Sequence, residues 1–319
     1  MGVREESNHP VGGVDYPRTL AEFDEWFSSE SACEEFLRQL RWPSGFECPA
    51  CGGVGGWETS RGLLRCPNCA RQTSVTAGTL LAGTRKPLRL WFQAIWYVTS
   101  QKHGVSALGL QRVLGLGSYQ TAWAWLHKLR RAMVRPDRDR LSGEVEVDET
   151  FLGGADFAID GRETDRALIA IAAEVRGRAI GRIRMAPVDD ASARSLIPFV
   201  ESAVSEGTVV RTDGWSGYVP LPRHGYRHRP TSLRATGLRA HVVMPRVHRV
   251  ASLLKRWWLG TYHGGISEAH LEYYLDEFTF RFNRRTSRAR GLLFYRLAQQ
   301  AVQIDAVPYH RLKVGNHNL

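Results

Sequence analysis

Two Cys-x-x-Cys motifs constrain the fold of this chain more than any other feature of its sequence. The first is Cys48-Pro49-Ala50-Cys51, and the second, Cys66-Pro67-Asn68-Cys69, begins after 14 intervening residues. Four thiolates at this separation can surround one Zn²⁺ ion tetrahedrally, and the glycines between the motifs suit a tight hairpin. Because the four cysteines leave no open coordination position, we expect a structural zinc ribbon and not a catalytic metal site.

Other uses of these cysteines fit the sequence less well. Disulfides require an oxidising compartment, whereas residues 1–12 are polar and contain no apolar signal region. A dithiol redox motif would explain one Cys-x-x-Cys but not two. The fifth cysteine, Cys33, has no partner at ligand spacing and is predicted to be a buried thiol. The longest apolar run, residues 167–175, is much shorter than the roughly 18 residues of a membrane span, so we expect no membrane contact.

The chain is strongly basic, with 43 Lys+Arg against 32 Asp+Glu and a formal net charge of +11. Residues 1–40 carry nine acidic and three basic side chains, so the positive excess lies in the remainder of the chain. Such an excess usually faces phosphates, which makes nucleic acid the first partner to consider. A basic protein that is merely soluble is the alternative.

The order of the patterns predicts five segments. These are an acidic helical head over 1–40, the zinc ribbon over 41–85, a helical connector over 86–140, an α/β domain over 141–305 and a tail over 306–319. In the head, Thr19 and Ser31 each precede a glutamate by three residues, which is the capping-box spacing of two short helices. We expect the head to pack on the rest of the protein.

The connector contains two predicted helices joined by Gly115-Leu116-Gly117. This arrangement fits a helix-turn-helix, in which the second helix enters the major groove of DNA. An ordinary helical hairpin explains the same pattern almost as well. If the motif binds DNA, the basic end of its second helix would contact phosphates through Lys128, Arg130 and Arg131.

The α/β domain is predicted from alternating strand and helix patterns. Strands over 144–148, 167–175 and 178–188 are followed by a helix over 191–206, a strand over 208–212 and helices over 247–259 and 267–284. Hairpin-like strands, a crossover helix and a further strand describe a mixed sheet in a layered α/β fold.

Four polar side chains in this domain indicate chemistry. Asp148 lies on a strand with other carboxylates, which repel one another unless a cation lies among them. Asp213 ends a strand, where ligands of α/β sheets usually bind. His248 and Lys255 are two turns apart on one helix face. Two aspartates and a third ligand could hold two divalent metal ions for attack on a phosphodiester, although a surface Asp or a satisfied His would be commoner for each residue alone.

Several further segments occur in a characteristic order. They are Arg41-Trp42-Pro43, Ala77-Gly78-Thr79, Val145-Glu146-Val147-Asp148-Glu149-Thr150 with Gly153-Gly154, Thr212-Asp213-Gly214-Trp215-Ser216-Gly217-Tyr218, Val247-His248-Arg249-Val250, Leu254-Lys255-Arg256-Trp257 and Phe278-Thr279-Phe280-Arg281-Phe282-Asn283-Arg284-Arg285. From about Leu20 to Ala301 the chain thereby resembles bacterial insertion-sequence transposases of the zinc-ribbon, ISXO-like group. The resemblance implies an RNase H-like, DDE-type catalytic domain over 141–305.

The resemblance also implies roles for the four polar residues. Asp148 and Asp213 would bind Mg²⁺ or Mn²⁺, and Lys255 would contact a phosphate. The third metal-binding position falls on His248, where much of the DDE superfamily has glutamate. Imidazole is a softer ligand than the oxygens that magnesium prefers. We therefore expect either weaker metal binding at one site or a His248 that acts on a metal-bound water or phosphate.

The predicted function is that of a DNA transposase. The ribbon and the connector would bind the inverted repeats at the element ends. The catalytic domain would hydrolyse a phosphodiester, expose a 3′-hydroxyl and join it to target DNA by two-metal-ion strand transfer. Basic side chains beyond the metal site would contact the DNA backbone, namely Arg256, Arg281, Arg284 and Arg285. Joining two ends implies a homodimer or higher homo-oligomer on double-stranded DNA, in the cytoplasm and associated with the bacterial nucleoid.

Two other functions stay open. A structure-specific nuclease on the same fold would cut DNA without joining it. A zinc-ribbon DNA-binding regulator with an inert RNase H-like domain would bind DNA without cutting it.

Overall fold

A computed structural model describes residues 9–135, 138–153, 166–231, 237, 240–262 and 268–314. The described part of the chain forms two compact units. Unit 1 comprises Met1–Met133 and Ser287–Lys313, and unit 2 comprises Val134–Thr286 and Val314–Leu319, in each case as far as residues are described. In the part of the chain that is described, no helix has the length and apolar character needed to cross a membrane.

Unit 1 is mainly helical and contains a small antiparallel sheet in the order β1-β2-β3. Its elements are α1 (Leu20–Trp26), α2 (Glu30–Arg41), β1 (Trp57–Glu58), β2 (Leu64–Arg65), β3 (Gln72–Thr73), α3 (Leu88–Ser100), α4 (Ala107–Leu114) and α5 (Tyr119–Ala132). The helices α10 (Arg290–Ala301) and α11 (Tyr309–Val314) follow much later in the chain.

Hydroxyl side chains begin the first two helices. The backbone N–H of Glu22 donates to Thr19 at 3.2 Å, as predicted for α1. The prediction for α2 was wrong by two residues, because the N–H of Ala32 donates to Ser29 and not to Ser31. An N-cap hydroxyl accepts from the amide two or three residues further along the chain, and Ser29 is three residues before the amide of Ala32.

An aromatic core joins α1, α2, α3 and α10. The ring centroid of Phe294 in α10 lies 5.4 Å from Phe23, 5.6 Å from Phe27, 5.9 Å from Phe36 and 5.7 Å from Phe92. Phe23, Phe27, Phe92 and Phe294 are at most 1% exposed. The acidic head is therefore part of the hydrophobic core of unit 1.

The N-terminus of α3 is stabilised by a residue distant in sequence. Its N-cap, Pro87, makes no side-chain cap. Instead, the N–H of Leu88 donates to Glu30 Oε1 at 2.6 Å and the N–H of Arg89 donates to Glu30 Oε2 at 3.3 Å. A carboxylate at this position satisfies two amides that the helix leaves unpaired and interacts favourably with the helix dipole.

Unit 2 is built on a five-stranded mixed sheet. Its elements are β4 (Glu144–Gly153), β5 (Arg166–Arg176), β6 (Ala179–Val188), α6 (Ala193–Ala203), β7 (Val209–Thr212), β8 (Arg227–Pro230), α7 (Ala240–Val243), α8 (Pro245–Tyr262) and α9 (Leu271–Asn283), with 3-10 turns over Ser216–Tyr218, Leu221–His224 and Glu268–His270. The strand order is β6-β5-β4-β7-β8. Strands β4, β5 and β6 pair antiparallel, whereas β7 and β8 run parallel to β4.

Helices cover both faces of this sheet. On one face, Ile171 and Met185 pack with Leu254, Trp258 and other residues of α8 and α9. On the other face, β4 packs with α6 and the 3-10 turns through a cluster that includes Val145, Val147, Val200 and Tyr218. The mixed-sheet α/β fold predicted from the sequence is confirmed, with the addition of β8. This strand, Arg-His-Arg-Pro, lacks the apolar alternation by which strands are recognised and was missed for that reason.

The chain returns to unit 1 after unit 2. Residues 287–305 were predicted to belong to the α/β domain, yet Leu293, Phe294 and Leu297 of α10 are buried in unit 1. The N–H of Leu80 also donates to the carbonyl of Ala301 at 3.1 Å. Apolar burial therefore places α10 with unit 1. The division of the chain into five functional segments stays a prediction.

Candidate zinc ribbon and catalytic site

The two Cys-x-x-Cys motifs form turns with the same backbone hydrogen bonds. The N–H of Gly52 donates to the carbonyl of Cys48 at 2.9 Å. In the second turn, the N–H of Ala70 donates to the carbonyl of Cys66 at 3.0 Å. Gly52 has φ +69° and Ala70 has φ +57°, so both turns end in the left-handed region, and Ala70 adopts it in spite of its Cβ.

The four sulfurs converge on one point. Cys48 Sγ lies 3.7 Å from Cys69 Sγ, Cys51 Sγ lies 3.6 Å from Cys66 Sγ, and all four lie within 4.8 Å of one another. Sulfurs bound tetrahedrally at the usual zinc–sulfur length of about 2.3 Å are roughly 3.8 Å apart. The backbone N–H groups of Ala50 and Cys51 help to lower the pKa of Cys48 to about 7, which favours its thiolate. The cysteines can therefore bind Zn²⁺.

The predicted aspartates belong to neighbouring parallel strands of the sheet. Strands β4 and β7 pair Glu146 with Arg211; Asp148 follows two residues later on β4, and Asp213 follows directly after the end of β7. The imidazole of His248, near the start of α8, lies with Nε2 at 3.4 Å from Asp148 Oδ2. Asp148 is mostly buried, with 15% of its side chain exposed, and His248 is 30% exposed. Three of the predicted residues thus come together from three elements.

Asp148 lies in a strongly negative environment. Its burial, followed by the charges of Glu149, Asp213 and Glu146, raises the pKa of Asp148 from 3.8 to about 7, although the N–H of Glu149 donates to Asp148 Oδ1 at 2.9 Å. A buried carboxylate with like charges around it resists ionisation until a cation compensates it. The electrostatics of the site therefore suit a divalent metal ion, and its oxygens are the ligands that Mg²⁺ prefers.

No role was predicted for Glu149 or Tyr218, although both lie in segments that carry the resemblance to transposases. The buried hydroxyl of Tyr218 donates to Glu149 Oε2 at 2.6 Å. Burial, and to a smaller extent the charge of Asp213, raises the pKa of Glu149, while the hydrogen bond from Tyr218 opposes this rise. A third carboxylate is therefore held at this edge of the sheet. Glu149 could have been noticed as a further carboxylate directly after Asp148. It lies just outside the alternating pattern of residues 144–148.

Two predicted DNA contacts are corrected by their burial. Arg130 is 2% exposed, and its guanidinium lies 3.4 Å from His127 Nε2. The side chain of Arg281 is 11% exposed and forms an ion pair with Glu277 at 2.7 Å. A guanidinium that is buried in this way offers little surface to a phosphate, so burial argues against a DNA contact for either arginine in this conformation.

The other predicted basic residues are at least partly accessible. Arg256 and Arg285 are exposed, whereas Lys128, Arg131, Lys255 and Arg284 are half-buried. The Lys128 ammonium lies 5.8 Å from the ring centroid of Trp91, and burial lowers the pKa of Lys128. The Arg284 and Arg285 guanidiniums lie 4.1 Å from the rings of Phe280 and Phe282, respectively.

A four-cysteine ribbon and a mixed α/β unit with clustered carboxylates define a class of zinc-ribbon proteins with a candidate metal-dependent site. The family model of the transposase zinc-ribbon domain matches residues 28–72, and that of the ISXO2-like transposase domain matches residues 140–283. A Halobacterium salinarum protein, described as an uncharacterized protein in transposable element ISH50, is 26% identical over 278 residues, which cover 80% of this chain and 91% of that protein. Both matched models describe transposase domains, and the predicted resemblance to zinc-ribbon, ISXO2-like transposases of insertion sequences is confirmed.

Proposed function

We propose that this chain is a DDE-type transposase that cleaves and joins DNA strands with the carboxylate site of unit 2. The observation that carries the proposal is the position of Asp148 on β4 and of Asp213 directly after the adjacent parallel strand β7, with the imidazole of His248 at 3.4 Å from Asp148. The transposase domains matched by the chain support a DNA substrate.

The sheet topology supports an RNase H-like fold for unit 2. On one side of the central strand β4, β5 runs antiparallel to β4 and β6 antiparallel to β5, and on the other side β7 and β8 run parallel to β4. The resemblance to DDE transposases implies an RNase H-like domain whose metal-binding aspartates are Asp148 and Asp213. Asp148 lies on the central strand β4, and Asp213 directly follows β7, the strand beside it.

Each residue of the site has a distinct task in this proposal. Asp148 and Asp213 would hold Mg²⁺ or Mn²⁺, and the bound ion would supply activation of the attacking oxygen and stabilisation of the leaving oxygen. His248 contacts Asp148 from the helix side and orients its carboxylate or an attacking group. Lys255, two turns further along α8, offers its ammonium to a neighbouring phosphate.

The remaining basic surface would bind the DNA. Arg256, Arg284 and Arg285 of unit 2 contact the backbone, and the ribbon and the α4–α5 pair of unit 1 recognise the inverted repeats. In α5 the exposed end is the beginning, at Tyr119 and Gln120, and not the predicted basic end. The first residues of a recognition helix are those that usually reach base edges. Two element ends require a homodimer or higher homo-oligomer on double-stranded DNA.

A cleavage and strand-transfer assay tests the proposal. Purified protein is incubated with labelled element-end DNA, target DNA and Mg²⁺ or Mn²⁺. Wild type, Asp213→Asn and His248→Asn are compared with Asp189→Asn, which changes an exposed aspartate outside the site. We expect metal-dependent 3′-hydroxyl ends joined to target DNA, lost in Asp213→Asn and retained in Asp189→Asn.

The other products of the same assay identify the alternatives. Cleaved but unjoined ends, under conditions that support binding of both DNA partners, would indicate a structure-specific nuclease. Binding that is unchanged in Asp213→Asn, without cleavage by wild type, would indicate a regulator with an inert domain and would contradict the proposal.

A further inference from the structure

A second glutamate on the strand of Asp148 is completely buried. Glu146 is 0% exposed and lies two residues before Asp148 on β4, so both side chains point to the sheet face covered by α8. Burying a carboxylate is costly unless charges and hydrogen bonds compensate it. Its partners therefore indicate what the residue does.

The partners of Glu146 are the first residues of α8. The backbone N–H groups of Arg246 and Val247 donate to Glu146 Oε2 at 2.7 and 3.0 Å. The guanidinium of Arg246 donates to Glu146 Oε1 at 3.1 Å, and that of Arg211 in β7 lies 3.9 Å from the same oxygen. Glu146 thus satisfies two amides at a helix N-terminus that would otherwise be unpaired, and it does so from another element.

His248 follows Val247 directly. Glu146 and Asp148 are two residues apart on β4. The residues that they contact, Arg246 and Val247 for Glu146 and His248 for Asp148, follow one another on α8. The contact of Glu146 restrains both the position and the rotation of α8 at its first turn. Rotation of an α-helix by one residue turns a side chain by about 100°, so a loose first turn would move His248 away from Asp148.

We propose that Glu146 is a positioning residue, which binds the first turn of α8 to β4 and thereby holds His248 against Asp148. Its catalytic consequence rests on the proposed function, whereas its structural part does not. The carboxylate would not touch the DNA or a metal ion, since its oxygens are occupied by the helix amides and by Arg246.

The chain contains a matched control for this role. Glu174 on β5 has 4% of its side chain exposed, forms an ion pair with Arg182 at 2.6 Å and accepts the N–H of Arg182 at 2.9 Å. It is thus a buried, paired glutamate of the same sheet, and its partners Arg182 and Arg176 belong to the β5–β6 hairpin and not to α8. Glu146→Gln and Glu174→Gln should therefore destabilise the protein in similar ways, but only Glu146→Gln should affect His248.

The test uses full-length protein labelled with ¹⁵N-histidine, without added Mg²⁺ or Mn²⁺. The imidazole resonances of His248, assigned by their loss in His248→Asn, are compared at one pH in wild type, Glu146→Gln and Glu174→Gln, together with the melting temperature. We expect Glu146→Gln alone to shift or broaden the His248 resonances. In the cleavage and strand-transfer assay, we expect Glu146→Gln to lower the kcat of DNA cleavage by between about tenfold and a hundredfold at nearly unchanged KM for DNA.

A shorter side chain protects the test against misfolding. Glu146→Asp keeps the charge for Arg246 but lacks one methylene, so it should bind the helix amides less well and shift the His248 resonances in the same direction by a smaller amount. If Glu146→Gln and Glu146→Asp move His248 no more than Glu174→Gln does, the inference is overturned. If wild type nicks no DNA while Glu146→Gln still shifts His248, the proposed function fails and the positioning role stands.

Discussion

At the scale of single residues, Asp148 lies in an electrostatically unfavourable environment that a bound metal ion would improve. Its pKa of about 7 reflects a carboxylate that is buried beside other carboxylates. In an unfolded chain its pKa would be near 3.8, so folding without metal increases its affinity for a proton. The folded state is then penalised as soon as the unfolded carboxylate ionises, and the penalty grows with pH up to about 7.

Asp148→Asn should therefore stabilise the metal-free protein more at pH 8 than at pH 5. One pKa unit corresponds to about 1.4 kcal/mol, which places the difference at a few kcal/mol at most. Urea denaturation at both pH values, in buffer without added divalent metal, measures it, and exposed Asp189→Asn serves as the control. Added Mg²⁺ should stabilise wild type but not Asp148→Asn. A change in stability that is the same at both pH values would contradict this account of the site.

A residue with a strained backbone conformation lies in the zinc ribbon. Ala70→Gly should stabilise the ribbon by roughly 0.5–1 kcal/mol, because Ala70 has φ +57° and glycine adopts this region without steric cost. Gly52→Ala should destabilise the equivalent turn by about the same amount, since a Cβ there would meet nothing within 4 Å and only the backbone angle opposes it. The chelator concentration that removes half of the zinc measures both effects. Shifts in the same direction for the two variants would contradict the equivalence of the turns.

At the scale of elements, both units begin a long helix with a carboxylate from elsewhere in the fold. Glu30 in α2 accepts the first amides of α3, and Glu146 in β4 accepts those of α8. Neither helix begins with a hydroxyl side-chain cap of the kind that α1 and α2 use. A carboxylate cap from another element satisfies the amides and also fixes the position of one element on the other. The hydrogen bonds break when the two elements separate.

Glu30→Ala should lower the free energy of unfolding of unit 1 by about 1 kcal/mol, which is typical for the loss of a helix N-cap. Glu25→Ala changes an exposed glutamate in the neighbouring helix and controls for the loss of one negative charge. Urea denaturation followed by tryptophan fluorescence compares the variants with wild type. Equal effects of the two substitutions would show that Glu30 acts through its charge alone.

Elements with a clear apolar period could be predicted from sequence, and contacts distant in sequence could not. The hairpin strands β5 and β6, the crossover helix and the four-cysteine ribbon lie close to their predicted positions. Arg281 was predicted to contact DNA, although Glu277, four residues earlier, already indicated an ion pair on the same helix face. The role of Glu146 depends on a partner 100 residues away, which no local pattern reveals.

For the whole molecule, the net charge of +11 predicts how DNA affinity responds to salt. Six or more phosphate contacts would reduce the affinity on the order of a thousandfold between 50 and 200 mM salt, because each contact releases condensed counterions. Fluorescence anisotropy with labelled duplex at several salt concentrations measures the slope. Arg256→Ala and Arg285→Ala should each make the slope less steep by nearly one contact, whereas Arg130→Ala should not. A slope near zero would exclude a phosphate-binding surface.

The return of α10 to unit 1 has a consequence for the order in which the protein matures on the ribosome. Unit 1 is started first, but its aromatic core lacks Phe294 until the last part of the chain has been translated. The sheet and covering helices of unit 2, which lie between Val134 and Thr286, are all translated before that. The half of the protein that emerges first is therefore completed last, and a nascent chain stalled near residue 286 would expose the apolar faces of α1, α2 and α3 to chaperones.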